Sequence, residues 1–321
     1  MGSTDRRPLQ IAHRGGAGLW PENTMEAFAR AIEAGADGIE LDVHLSADNV
    51  LIVYHDEALK PAYTRDAEGR YLARPTPLLK NLTFADLQRY DVGRLDPART
   101  YSKRYPDQQA IDGARIPALR DVIRLVQQKA RKDFRLYVEL KTDLLDPSLS
   151  ATPEGLATAA VKLIEAMDFA QQTIFVSFDW NALRHAKKLA PHIPNAFTTL
   201  PFHTLDPASP AAKDDEPGSE EAEIRRLSAG DAPWTAGFDW HRQTGTTFAD
   251  RMLGAIAAGG ADGWFAWHGD VTEQTVARAR QLDLMVSCWT VDNEAEMRRL
   301  AALGVDAILT DRPDRLKTVL G

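Results

Sequence analysis

Cysteine is nearly missing from this 321-residue chain: Cys288 is the only one, so no intrachain disulfide can form. Long hydrophobic runs are missing as well. Nothing approaches about eighteen consecutive apolar residues, which excludes a membrane-spanning helix and argues against stable membrane insertion. An excess of positive charge is also absent, because 38 Lys and Arg stand against 46 Asp and Glu, a formal net charge of -8. That balance argues against nucleic-acid binding and leaves room only for a local basic pocket. Met1 to Pro8 are polar and lack the apolar core of a signal peptide. The chain as written reads as cytoplasmic, or as periplasmic or secreted if a leader has been removed. Internal repeats and heptad runs are lacking too. What remains is ordinary globular composition, 44% apolar and 26% charged, in a length that suits one large barrel or two medium domains.

The stretch from residue 38 to 56 organises the rest. Ile39, Leu41 and Val43 alternate with Glu40, Asp42 and His44, so an extended strand places both acids on one face. Two neighbouring carboxylates repel, and burying them unpaired costs several kcal/mol. A divalent cation removes that cost, and oxygen ligands suit magnesium or calcium, with manganese also open and copper disfavoured. Val50 to Tyr54 form a second extended run, ending at His55-Asp56. Only Leu45 to Asn49 separate the two runs, far fewer residues than the dozen or so that a parallel crossover needs. They must form a hairpin, and Asp48-Asn49 is suitable turn chemistry.

Around this hairpin, strands alternate with helices. Leu9 to Ala12 is extended, and Pro21-Glu22-Asn23-Thr24 opens a helix with Asn23 or Thr24 as N-cap and Gly35 closing it. Residues 57–115 lack sustained periodicity apart from a short helix near Phe84 to Tyr90, and read as an excursion capping one end. Without the hairpin strand, eight strands lie near residues 10, 40, 137, 175, 197, 264, 287 and 308. Eight strands alternating with helices predict a (β/α)8 TIM barrel, with a small insertion after strand 2. The expected organisation is one catalytic barrel over 1–321, with hairpin and cap at 44–115. The acidic segment 206–233 reads as a long, mobile loop.

Barrel active sites form at the C-terminal ends of the strands. The polar residues there are His13, Arg14, Glu40, Asp42, Glu139, Lys141 and Trp289, with His55 and Asp56 overhanging from the hairpin. Three carboxylates fit one oxygen-loving divalent metal. Arg14 and Lys141 attract an anion, and the guanidinium fork suits phosphate. Two histidines supply acid and base near neutral pH. Together they point to metal-assisted cleavage of a phosphate ester. His44 and His268 read as structural or solvated, and Cys288 as an inert residue facing the helical layer.

His13-Arg14-Gly15, Pro21-Glu22-Asn23-Thr24, Gly38-Ile39-Glu40-Leu41-Asp42 and His55-Asp56 together resemble the glycerophosphodiester phosphodiesterase family. Ile116-Pro117-x-Leu119, Glu139-Leu140-Lys141, Trp289-Thr290-Val291 and Gly304-Val305-Asp306 through Thr310-Asp311 extend the resemblance along nearly the whole chain. It implies a TIM barrel with an insertion after strand 2, and hydrolysis of small glycerophosphodiesters to glycerol 3-phosphate and an alcohol. It further implies His13 and His55 as the acid–base pair, and Glu40, Asp42 and Glu139 as ligands of one Mg2+ or Ca2+. Arg14 and Lys141 would contact the phosphate, and Trp289 would wall the alcohol pocket. The family route passes through a cyclic phosphate formed by the neighbouring glycerol hydroxyl. Two departures stand out: Ser46-Ala47-Asp48-Asn49 replaces the usual Thr-x-Asp-Gly turn, and Asp292-Asn293 displaces an expected Asn. Lysophospholipids or lipid head groups are the alternative substrates, and a silent phosphate-binding barrel the alternative class.

Overall fold

The computed structural model describes residues 7–213, 219–230 and 232–321. Most of the polar N-terminal stretch, residues 1–6, therefore lies outside the described residues. The chain begins with β1 (Leu9–Ala12), α1 (Met25–Glu33), β2 (Gly38–Leu45) and β3 (Leu51–Val53). The one-turn α2 (Phe84–Leu87) interrupts the long excursion before α3 (Leu119–Lys129). Then follow β4 (Arg135–Leu140), α4 (Pro153–Ala166), β5 (Thr173–Ser177), α5 (Trp180–Leu189), β6 (Asn195–Thr198) and α6 (Phe202–Leu205). The last third carries α7 (Glu220–Ser228), α8 (Phe248–Ala258), β7 (Gly263–Trp267), α9 (Glu273–Gln281), β8 (Met285–Trp289), α10 (Glu294–Leu303), β9 (Ala307–Thr310) and α11 (Pro313–Leu320).

All strands but β3 pair in parallel, and β1 pairs with both β2 and β9, which closes the barrel. The (β/α)8 expectation holds. β3 runs antiparallel to β2, with Val43 opposite Val53 and Leu45 opposite Leu51. Asn49, at the turn, takes a positive φ of 60°, which Asn tolerates better than most residues. At the same turn the Ser46 hydroxyl donates to Asp48 at 2.6 Å, so the departure from Thr-x-Asp-Gly keeps a bonded corner. Thr24, not Asn23, caps α1 by accepting from the Ala27 amide at 3.2 Å, and Gly35 follows the helix with φ 86°.

The packing explains the alternation in β2. Ile39, Leu41 and Val43 join Phe28, Leu119 and Val122 in the layer between strands and helices. A smaller cluster, including Ile11, Tyr137, Val176, Phe265 and Leu309, fills the barrel interior. Cys288 belongs to the outer layer, fully buried, as its alternation implied. The excursion has its own apolar cluster, with Ile52, Tyr54, Leu59, Tyr63 and Leu87 among its members.

The segment 206–233 needs correction. In place of the expected long, mobile loop, its described part forms a 3-10 turn at Pro210–Lys213 and the helix α7, which Ser219 caps. Ile224 of α7 and the following Trp234 are buried, and that burial gives the segment a reason to fold back on the barrel. Residues 214–218 and 231 of this segment lie outside the described residues. Among the described residues, no helix is long and apolar enough to cross a membrane.

Candidate active site

Each sequence motif has a local structural reason. After β1 the chain turns sharply through His13–Gly15, with Arg14 at φ 50° and Gly15 and Gly16 at 84° and 95°. A side chain at Gly15 would place its Cβ 2.8 Å from that of Ala27, so the turn packs against α1 only with glycine there. A non-glycine residue in the left-handed region is uncommon and marks a functional turn. It is fixed by two bonds: the Arg14 amide donates to Glu40 Oε2 at 3.1 Å, and the Asn23 amide donates to the Arg14 carbonyl at 2.9 Å.

Glu40, Asp42 and Glu139 are all buried, and one carboxylate oxygen from each lies within 4.8 Å of the others. The Asn23 amide holds one oxygen of Asp42 at 2.8 Å. By contrast, Glu40 Oε1 and Asp42 Oδ1 are buried without a hydrogen-bond partner. Buried oxygens are rarely left in that state, so the donor set fits a hard divalent cation. Burial, reinforced by the neighbouring Asp42 charge, pushes the Glu40 carboxyl up to about 8. Burial would raise Asp42 as well, but Arg14, His55 and Lys141 outweigh it and hold that carboxyl well below the usual range.

The cations flank this triad. Arg14 pairs with Glu22 at 2.9 Å and approaches Asp42 at 3.3 Å. The Lys141 Nζ sits 3.0 Å from Glu139, 3.3 Å from His55 Nε2 and 3.7 Å from Asp42. The Glu139–Lys141 ion pair and membership of the carboxylate triad therefore coexist.

The two histidines are held differently. His13 Nδ1 is 2.6 Å from Asp311 Oδ1, and its Nε2 faces Glu40 at 3.8 Å. Burial opposes protonation of His13, but the charge and hydrogen bond of Asp311 prevail and raise its pKa. His55 Nδ1 lies 3.3 Å from Asp56 Oδ1. Its burial, with Arg14 and Lys141 nearby, pushes its pKa well down. Environments that drive two histidines apart are what an acid and a base need.

Trp289 ends β8, but the hydrogen bonds and ion pairs that knit the polar cluster do not include it. Its indole N–H donates to the Phe265 carbonyl at 3.1 Å, and its ring meets Phe178 edge-on at 5.6 Å. His44 is structural: it is buried, hydrogen-bonded to the His55 carbonyl at 3.1 Å, and pushed down to about 4 by burial. His268 pairs with Glu296 at 2.9 Å. Asp292 accepts from the Thr310 hydroxyl at 3.0 Å and the Asp311 amide at 2.9 Å, so it braces the segment that carries Asp311.

A cavity of about 480 Å³ opens beside His55, Glu139 and Lys141. Its walls are mixed, with Leu144, Leu149, Phe178, Leu200, Ile224 and Trp234 beside Glu57, Thr142, Asp143, Asp146, Ser150 and Ser177.

The model of the glycerophosphoryl diester phosphodiesterase family matches residues 13–315. The chain belongs to this family. A glycerophosphodiester phosphodiesterase of Caldanaerobacter subterraneus is 28% identical over 310 residues, covering 97% of this chain and 96% of the relative. One of Bacillus altitudinis is 30% identical over 305 residues, 95% of each. In crystal form, a Silicibacter pomeroyi protein provisionally named for the same activity superposes with a TM-score of 0.80 at 30% identity, over 98% of this chain and 94% of its own.

In this family member the site residues also meet motif residues whose bonds to them the sequence did not foretell. Glu22, Asn23 and Asp311 each bond to a site residue, and Asp56 joins them from the hairpin. Tyr63, Tyr101 and Tyr105 of the excursion reach the same carboxylates. The motif positions carried a signal for the first group. For the tyrosines no signal existed.

Proposed function

We propose that this chain is a metal-dependent hydrolase of glycerophosphodiesters, releasing glycerol 3-phosphate and an alcohol by acid–base catalysis with His13 and His55. The observation that carries it is the pair of orphaned oxygens in a buried three-carboxylate cluster, flanked by two cations and two oppositely biased histidines. Glu40, Asp42 and Glu139 would hold one Mg2+ or Ca2+. When bound, that ion supplies Lewis-acid stabilisation of charge on the phosphoryl oxygens. Arg14 and Lys141 orient the diester and share that stabilisation. Trp289 would wall the pocket for the alcohol.

The proton inventory favours one assignment. His55 donates an Nδ1–H hydrogen bond to Asp56, which leaves the lone pair on Nε2; that lone pair faces Lys141 here and serves as the base once Lys141 turns to the diester. It removes the proton of the neighbouring glycerol hydroxyl as that oxygen bonds to phosphorus. His13, holding Asp311 through Nδ1–H, donates its Nε2 proton to the departing alcohol oxygen as the P–O bond breaks. Water then opens the cyclic phosphate with the two roles reversed. We take residues 1–321 to act as one catalytic barrel, with 44–115 as its insertion.

The test is glycerol 3-phosphate release from glycerophosphocholine with EDTA, then with added magnesium or calcium. Turnover in EDTA equal to that with metal overturns the metal assignment. A diester with a p-nitrophenyl leaving group separates the histidines, because that alcohol departs without a proton. His13→Ala should recover most of its activity on it and His55→Ala should not; the reverse pattern overturns the assignment.

The apolar side of the cavity favours a second reading, a phosphodiester with an apolar substituent such as a lysophospholipid. An alkyl chain laid against Leu144, Phe178 and Trp234 gains by burial, although Thr142, Asp143 and Ser177 of the same cavity offer partners to a polar substituent. A higher kcat/KM for lysophosphatidylcholine than for glycerophosphocholine would support it.

A further inference from the structure

Tyr54, Tyr63, Tyr101 and Tyr105 form a ladder along the excursion, with successive ring centroids 5.5, 5.3 and 5.5 Å apart. Three of these rings reach carboxylates at the barrel mouth in one repeated arrangement. Asp56 faces His55 with Oδ1 and accepts from the Tyr63 hydroxyl with Oδ2. Glu22 takes Arg14 on Oε1 at 2.9 Å and the Tyr101 hydroxyl on Oε2 at 2.5 Å. Asp311 takes His13 on Oδ1 at 2.6 Å and the Tyr105 hydroxyl on Oδ2 at 3.2 Å. In each case one oxygen holds a site residue and the other holds a tyrosine. Tyr54 differs, because its hydroxyl meets Thr64, the Lys60 amide and the Tyr63 hydroxyl, all within the excursion, and reaches the site only through Tyr63.

We propose that Tyr63, Tyr101 and Tyr105 are positioning residues that fix the aim of His55, Arg14 and His13, each through its own carboxylate. A carboxylate held at one oxygen can swing about its own axis, and a second donor from a rigid ring removes that freedom. Burial and nearby carboxylate charge push all three hydroxyls up, so each stays a donor. The excursion is thereby a template for part of the site, one rung for each of His55, Arg14 and His13. Its role in turnover rests on the hydrolase reading above.

The experiment compares four Tyr→Phe variants of the whole metal-loaded chain on glycerophosphocholine. Tyr63→Phe and Tyr105→Phe should lower kcat by about 3- to 30-fold with KM nearly unchanged, because each loosens a proton-transfer group. Tyr101→Phe should instead raise KM by a similar factor, because Arg14 binds the anion. Tyr54→Phe, which reaches the site only through Tyr63, should lower the melting temperature and change kcat less than Tyr63→Phe does. Histidine 15N shifts supply a readout that needs no turnover: Tyr63→Phe moves the resonances of His55 and spares those of His13, and Tyr105→Phe does the reverse. If all four variants lose activity merely in proportion to lost stability, or neither histidine responds selectively, the positioning role is overturned. An inactive wild type with selective shifts overturns the hydrolase reading and leaves the relays standing.

Discussion

Asp311→Asn is the sharpest single test of how the site is held. The side chain is buried at the end of β9, with Oδ1 2.6 Å from His13 Nδ1. Asparagine keeps the volume and can still accept from Nδ1–H, so the fold should survive. What it removes is the charge that stabilises a protonated His13, and it adds an amide that can face the ring the wrong way. The magnitude is bracketed by two kinds of precedent. Losing an outer hydrogen-bond partner typically costs about 10- to 100-fold, whereas neutralising the carboxylate of a serine-protease triad costs about 10⁴-fold. His13 keeps Glu40 at 3.8 Å as a second carboxylate, which argues for the middle of that range. The expected loss is about 10²- to 10³-fold in kcat, or about 2.7 to 4 kcal/mol of transition-state stabilisation. KM should move by less than about threefold, because Asp311 has no part in the anion clamp. The assay is steady-state release of glycerol 3-phosphate, run below the melting point of the variant. A folded variant within about threefold of wild-type kcat would refute the claim that Asp311 orients His13.

Other outcomes follow from the same structure. Glu40→Gln takes away the orphaned oxygen and should weaken Mg2+ or Ca2+ binding, measured by calorimetry, by more than the roughly 10- to 100-fold that an outer partner costs. Unchanged affinity would remove Glu40 from the ligand set. At the opposite pole of the barrel, Asp37 is buried and takes Arg7, Arg131 and the Gln10 amide. Burial opposes its charge, but the Arg7 and Gln10 bonds and Arg131 hold its carboxyl below the usual range. Asp37→Asn should cost about 1 to 2 kcal/mol at pH 7, discounted because both arginines are half-exposed. A depressed carboxyl stabilises the fold above its unfolded pKa near 3.9, and the benefit is lost as pH falls through the lower folded value. The gap between wild type and variant should therefore narrow below about pH 4 in chemical denaturation, with kcat unaffected; a gap that widens in acid would contradict this. Gly38→Ala would drive a methyl group into the Arg135 carbonyl and within 2.8 Å of Ile11, at a cost of at least about 2 kcal/mol. A melting temperature equal to wild type would show that β2 and β4 can part more easily than their register implies.

The barrel was legible because its signals are local. The five-residue gap between the β2 and β3 runs forced a hairpin, and alternation in β2 told which side of the strand meets helices and which meets the barrel interior. That the three carboxylates meet was legible because each occupies a strand position whose direction the alternation fixes. The segment 206–233 misled for the opposite reason. Its acidic, proline- and glycine-containing composition hides the fact that Ile224 and Trp234 are buried against a barrel they meet only in the folded chain.

The layer behind His13, Arg14 and His55 was illegible for a deeper reason. Asp311 is 298 positions from His13, Tyr101 is 79 from Glu22, and Tyr105 is 206 from Asp311. No period or spacing connects such pairs. A tyrosine in an aperiodic excursion also looks the same whether its hydroxyl meets water or a buried carboxylate. The acidic members differ in this respect, because Glu22 and Asp311 lie inside motifs whose histidine and arginine were already assigned. Once Arg14 and His13 are read as buried cations, each demands a carboxylate, since an unpaired charge in that interior costs several kcal/mol. That demand could have singled out the acids nearest each motif. It could not have reached the tyrosines, which satisfy a requirement of the carboxylates and not of His13, Arg14 or His55.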